Sequence, residues 1–120
     1  MNLVGKNVFV TGAARGIGAE LAAVLADRGA SLFLSDVNAE ALASVVKTLQ
    51  ADGATVESVV LDVRDASQLE ALRGRSLAVD VLINNAGVVY GGSLLDTPLE
   101  VHRATIAVNL DGVIGVTHVM

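Results

Sequence analysis

Eight residues, TGAARGIG from Thr11 to Gly18, place three glycines where a backbone can wrap a phosphate. They follow an apolar run and open a helix-like stretch. Gly12 permits a tight turn, Gly16 lets backbone approach a pyrophosphate, and Gly18 lets the helix pack closely on a sheet. The N–H groups at such a helix start carry partial positive charge, which suits phosphate. A purely structural strand-to-helix turn also needs glycine, so the triplet takes its meaning from its surroundings. Asp36 ends the next apolar run, where a carboxylate can accept both hydroxyls of a ribose and repel a 2′-phosphate. Its other reading is a solvated strand end, or a cap for the helix that begins near Asn38. Arg15 puts a guanidinium in the glycine loop within reach of a 2′-phosphate, but Val37 and Asn38 add no second positive charge. NAD is therefore expected over NADP.

Elements must bring these residues together. Four runs, Asn7–Gly12, Ser31–Asp36, Val56–Asp62 and Val79–Asn85, are rich in β-branched and aliphatic residues. They read as strands buried on both faces, as in a parallel sheet. Between the first two, Ile17, Leu21, Val24 and Leu25 form a helical stripe closed by Gly29. Between the next two, Leu42, Val45, Val46 and Leu49 do the same, closed by Gly53. A third helix opens with the capping-box pair Asp65 and Gln68 and carries Leu69 and Leu72. A fourth opens at TPLE, with Thr97 as N-cap, Pro98 at the first helical position and Glu100 three after the cap. The order βαβαβαβα implies one α/β domain over residues 1–120 with a doubly wound parallel sheet. Gly12, Asp36, Asp62 and Asn85 all follow apolar runs, and ligands of such sheets bind beyond the strands' carboxyl ends.

Composition narrows the partners. A net charge of −5 argues against nucleic acid or an anionic membrane. There is no cysteine, and the two histidines, His102 and His118, have no ligand cluster around them, so no metal site is expected. No run of apolar residues is long enough for a membrane span, and the N-terminus lacks a signal-peptide layout. A cytoplasmic protein is the default expectation.

The motifs TGAARGIG, LDV (Leu61–Val63), NNAG (Asn84–Gly87) and VNLDG (Val108–Gly112) resemble, in order, the N-terminal signatures of the short-chain dehydrogenase/reductase family of the classical type. The resemblance covers the whole chain, apart from a stretch between Asp62 and Asn84 that is a few residues short and suggests a trimmed third helix. It implies a Rossmann-like fold and hydride transfer between a nicotinamide and the carbon of a small-molecule alcohol or carbonyl substrate. It also implies roles. Asp62 and Val63 would contact adenine, Asn85, Ala86 and Gly87 would line the adenosine side, and Ile17 would lie over the cofactor through its backbone. Asn109 would hold an active-site water in a proton relay, although a structural water site is the other reading of a polar residue in an apolar helix. The other reading of Asp62 is a strand end, and Asn84 is expected to tie strands together.

The family's catalytic tyrosine stands four residues before a lysine. Here the one tyrosine, Tyr90, is followed four later by Leu94, and the only lysines are Lys6 and Lys47. The final stretch, Asn109–Met120, reads as a helix without a stop signal. Together these point to the N-terminal half of a dehydrogenase, ending after the fourth strand and its helix, and inactive by itself. The alternatives are a non-catalytic NAD-binding or scaffold module, and a binder of another nucleotide. Gly112 and Gly115, three apart in the last helix, suggest close packing, which in the family is commonly against a partner subunit. A homo-oligomer is expected.

Overall fold

The computed structural model describes residues 1–120. Strands β1 (Asn7–Thr11), β2 (Ser31–Asp36), β3 (Val56–Val60) and β4 (Val81–Ile83) form one parallel sheet in the order β3-β2-β1-β4. Helices α1 (Gly16–Asp27), α2 (Ala39–Ala51) and α3 (Ala66–Gly74) follow the first three strands. After β4 a longer helix begins as α4 (Leu99–Ile106), widens for one turn over Ala107–Asp111, and continues as α5 (Gly112–Val119). The doubly wound α/β architecture expected from the alternation is thus present.

Strand side chains alternate between two cores. Val8, Val10, Leu32 and Leu34 pack with Ala22 and Leu25 of α1 and Leu42 and Leu49 of α2. On the opposite face Phe9 joins Leu61, Val63, Leu72 of α3 and Val116 of α5. Phe33 stacks on Phe9 with ring centroids 5.3 Å apart, and Arg75 covers Phe33 at 4.7 Å. Burying each large aliphatic side chain contributes about 1.5–3 kcal/mol, so β1, buried from Val8 to Thr11, anchors the fold.

Several local expectations need correction. In α1 the buried face is Gly18, Ala22 and Leu25, whereas Ile17 and Val24 are exposed. The true contact face is built from small residues, which permit close approach but leave little hydrophobic signal in the sequence. β3 is not buried on both faces: only Val56 is buried, because the strand is a sheet edge. β4 is shorter than expected and half-buried, because it forms the other edge. Thr97 does not cap α4. Its hydroxyl donates to the Ser93 carbonyl at 2.7 Å within a preceding turn, and Pro98 occupies the cap position.

One cap matches: Asp65 accepts the N–H groups of Ser67 and Gln68 at the head of α3. At the head of α2 the cap is Asn38, which accepts the Ala41 N–H, rather than Asp36. Gln68 donates to Asp65 at 3.1 Å and also accepts the Asp62 N–H at 2.8 Å, so it ties the helix to the end of β3. The two glycines of α5 pack closely, but within the chain. A Cβ on Gly112 would lie 2.6 Å from Val63 Cγ2, and one on Gly115 would lie 2.7 Å from Leu69 Cδ1. Their neighbours are Val63, just after β3, and Leu69 of α3.

Candidate nucleotide-binding cleft

The strand order reverses between β1 and β4, because the chain steps outward from β1 through β2 to β3 and then returns to the other side of β1. Ligands of open α/β sheets bind beside such a point. A cleft of about 320 Å³ opens there, at the carboxyl ends of all four strands. Its size falls within the range of small-molecule sites.

The β1 and β4 ends are joined by one hydroxyl and one amide. Buried Thr11 accepts the backbone N–H groups of Asn85 and Ala86 at 3.0 and 2.9 Å. The Asn85 side chain returns two donations, to the carbonyls of Thr11 at 3.2 Å and Gly12 at 3.0 Å. The strand-tying role expected of Asn84 therefore belongs to Asn85, while Asn84 donates to Thr117 of α5 at 3.1 Å. Thr11 was not singled out in the sequence, and its only signal there is a polar residue ending an apolar run.

Close packing explains two of the loop glycines. Gly12 has φ +66°, and a Cβ there would lie 2.8 Å from Ala86 Cα. A Cβ on Gly18 would collide with the Gly12 carbonyl and lie 2.6 Å from the Asn85 amide nitrogen. Gly16 differs: at φ +55° it has nothing within 4 Å of its Cβ position, so backbone there faces open space. No side chain caps α1, and its first backbone bond runs from the Ala19 N–H to Arg15 O at 3.3 Å. The N–H groups of Gly16, Ile17 and Gly18 thus have no protein acceptor, which fits an anion at the helix start.

Asp36 connects β2 to this loop. One carboxylate oxygen accepts the Ala14 N–H and the other the Asn38 N–H, both at 3.0 Å. Each oxygen keeps a lone-pair site, enough for a ribose diol. Asp62, at the end of β3, is more fully engaged. It accepts Arg64 Nε at 3.0 Å and Nη2 at 2.7 Å, besides the Arg64 backbone N–H at 3.0 Å. The Arg64 hydrogen bond holds the Asp62 carboxyl below the usual carboxylate range, against a smaller opposing effect of burial. Arg64 itself lines the cleft and was missed in the sequence, although an arginine two residues from a carboxylate is a visible signal.

Of the residues singled out, Gly12, Arg15, Asp36, Asp62 and Val63 line the cleft. So do Asn85, Ala86 and Gly87. Gly16, Ile17, Gly18 and Asn109 do not. Ile17 is 79% exposed. Asn109 clamps the backbone of Val88, accepting its N–H and donating to its carbonyl, each at 2.8 Å. Val88 and Tyr90 form part of the far wall.

Known proteins match this arrangement. The family model described as short chain dehydrogenase matches residues 6–120. The chain is 39% identical over 113 residues to 2,3-dihydro-2,3-dihydroxybenzoate dehydrogenase of Bacillus subtilis, covering 91% of this chain and 43% of that protein. It is 40% identical to the probable oxidoreductase EphD of Mycobacterium tuberculosis, covering 89% of this chain and 19% of that protein. A short-chain dehydrogenase/reductase from Burkholderia phymatum in complex with NAD superposes with a TM-score of 0.92 at 37% identity, covering 99% of this chain and 44% of that one. A gluconate 5-dehydrogenase from Burkholderia cenocepacia in complex with NADP and tartrate gives 0.88 at 33% identity, covering 98% and 48%. The chain thus spans less than half the length of each of these relatives.

Proposed function

The chain belongs to the short-chain dehydrogenase/reductase family, and from that premise we propose that it is the cofactor-binding part of an NAD-dependent oxidoreductase. The observation that carries this reading is a carboxylate bonded only to backbone N–H groups in a cleft that the uncapped N-terminus of α1 borders through its N-cap residue, Arg15. The uncapped turn takes the pyrophosphate, and Asp36 takes the ribose hydroxyls. When bound, the nicotinamide supplies the hydride chemistry on an alcohol or carbonyl carbon. The residues of this chain orient the dinucleotide and exclude water from its adenosine end. The relay function of Asn109 belongs to the same proposal, with its side chain also holding the Val88 wall. The chain has no Tyr-x-x-x-Lys pair, so binding without turnover is the activity proposed for these 120 residues alone.

Charge decides the choice of cofactor. Arg64 is spent on Asp62, whereas Asp36 has no cationic partner. A 2′-phosphate on the ribose would meet that uncompensated carboxylate. Arg15 has no ion-pair partner and favours the opposite choice, as does the NADP-bound relative. Repulsion at the ribose prevails because it acts at the atom that bears the phosphate. Calorimetric titration should give NAD at least about tenfold tighter binding than NADP, roughly 1.4 kcal/mol. Equal affinities would overturn the preference for NAD, and no binding of either would remove the reading altogether.

A further inference from the structure

One short stretch of helix holds three parts of the cleft wall. Val108 lines the cleft directly. Asn109 grips Val88 through both ends of its side-chain amide. Gly112, at the end of the widened turn, donates its N–H five residues back to Ala107 O. It faces Val63, which is 8% exposed and also lines the cleft. A Cβ on Gly112 would stand 2.6 Å from Val63 Cγ2 and 3.1 Å from its Cβ. Separations below about 3 Å are not tolerated, and valine has little freedom at χ1 to retreat, so the backbone after β3 would have to move.

Resting on the proposed binding of a dinucleotide in this cleft, we propose that Gly112 is a positioning residue whose missing side chain sets the place of Val63 in the ligand-facing wall. It touches no ligand and acts through Val63. Gly115 supplies the internal comparison. It lies one turn further along the same helix, and a Cβ there would meet Leu69 Cδ1 at 2.7 Å. That atom is the far end of a flexible side chain, which can swing aside, and Leu69 is no part of the cleft. Both glycine-to-alanine changes raise helix propensity alike. Only one presses on the wall.

The test is a cycle of variants of the 120-residue chain titrated with NAD, with folding checked by circular dichroism. Gly112→Ala should weaken NAD binding about tenfold, a normal size for two residues in contact, while Gly115→Ala should change it less than about twofold. In a Val63→Ala background, where the colliding Cγ2 methyl group is gone, Gly112→Ala should weaken affinity less than about twofold. That background also restores room if Gly112→Ala alone folds poorly. A loss merely from a weakened helix would persist in the Val63→Ala background and would overturn the proposal. So would equal effects of the two glycine substitutions, with NAD binding intact in the unmodified chain. Failure of the unmodified chain to bind NAD would overturn the proposal together with the reading on which it rests.

Discussion

At Asp36 both carboxylate oxygens already hold backbone N–H groups, so the side chain tethers the glycine loop as well as facing the ribose position. Replacing it therefore has two consequences that move differently. Asp36→Ala combined with Val37→Arg removes the repulsion and adds a cation beside the ribose. The ratio of NADP to NAD affinity should rise from about one tenth to unity or above. Loss of the Ala14 tether should at the same time weaken NAD itself. Calorimetry with both dinucleotides separates the two effects, and an unchanged ratio would refute the assignment of Asp36 to the ribose. Gly12, Asp36, Asp62 and Asn85 were legible because each follows an apolar run. Their partners were not. Nothing in the order of residues says that Asn85 rather than Asn84 turns back to the Thr11 and Gly12 carbonyls, because that depends on where β4 ends. Nor does sequence show that Arg64 occupies the Asp62 carboxylate, which leaves little of Asp62 free for a base.

Carboxylates also fasten the ends of elements. Asp65 caps α3, with its pKa lowered chiefly by the Gln68 backbone N–H. Asp80 holds the Asn7 N–H at the start of β1, which is the main cause of its lowered pKa, with Lys6 adding to it. Asp62 closes β3 through Arg64. A carboxyl whose pKa falls on folding contributes stability in full above its unfolded value, and that contribution is lost as pH drops through the folded value. Thermal unfolding should therefore give a level midpoint from neutral pH to about 5 and a decline below about 4. Asp80 is exposed and Asp62 and Asp65 are only half-buried, so solvent screening should keep the decline shallow. Asp65→Asn keeps a good cap but cannot titrate, so it should flatten the acid limb while leaving the neutral midpoint nearly unchanged. An identical acid limb in that variant would show that Asp65 is not among the linked groups. Element types and order were legible from periodicity, and their faces less so. Gly18 and Ala22 form the buried face of α1, whereas the more hydrophobic Ile17 and Val24 stay exposed. The widened turn at Ala107–Asp111 has no local signal in the sequence.

Over the whole molecule, the longest run of exposed apolar residues follows β4. β4 pairs only with β1, so its outer N–H and C=O groups form an open sheet edge. Next to it in sequence, the loop before α4 exposes Val89, Leu94 and Leu95, at 93%, 76% and 93%. Along the helix, Leu99, Ile106, Leu110 and Ile114 are each more than half exposed. The glycine face of α5 is already satisfied within the chain, so these residues lie on a different and uncovered face. Scattered apolar residues on a surface mean little, but a run of them along one helix beside an open strand favours association. Light scattering at micromolar concentration should give a mass above the 12.2 kDa of one chain, rising with concentration. Leu110→Lys with Ile114→Lys adds two like charges to that face and spares the cleft, so it should return the mass toward one chain without weakening NAD binding. Two outcomes would count against association through this face. One is a stable monomer at every concentration. The other is a lysine variant that remains fully assembled, which would move the contact to the open edge of β4.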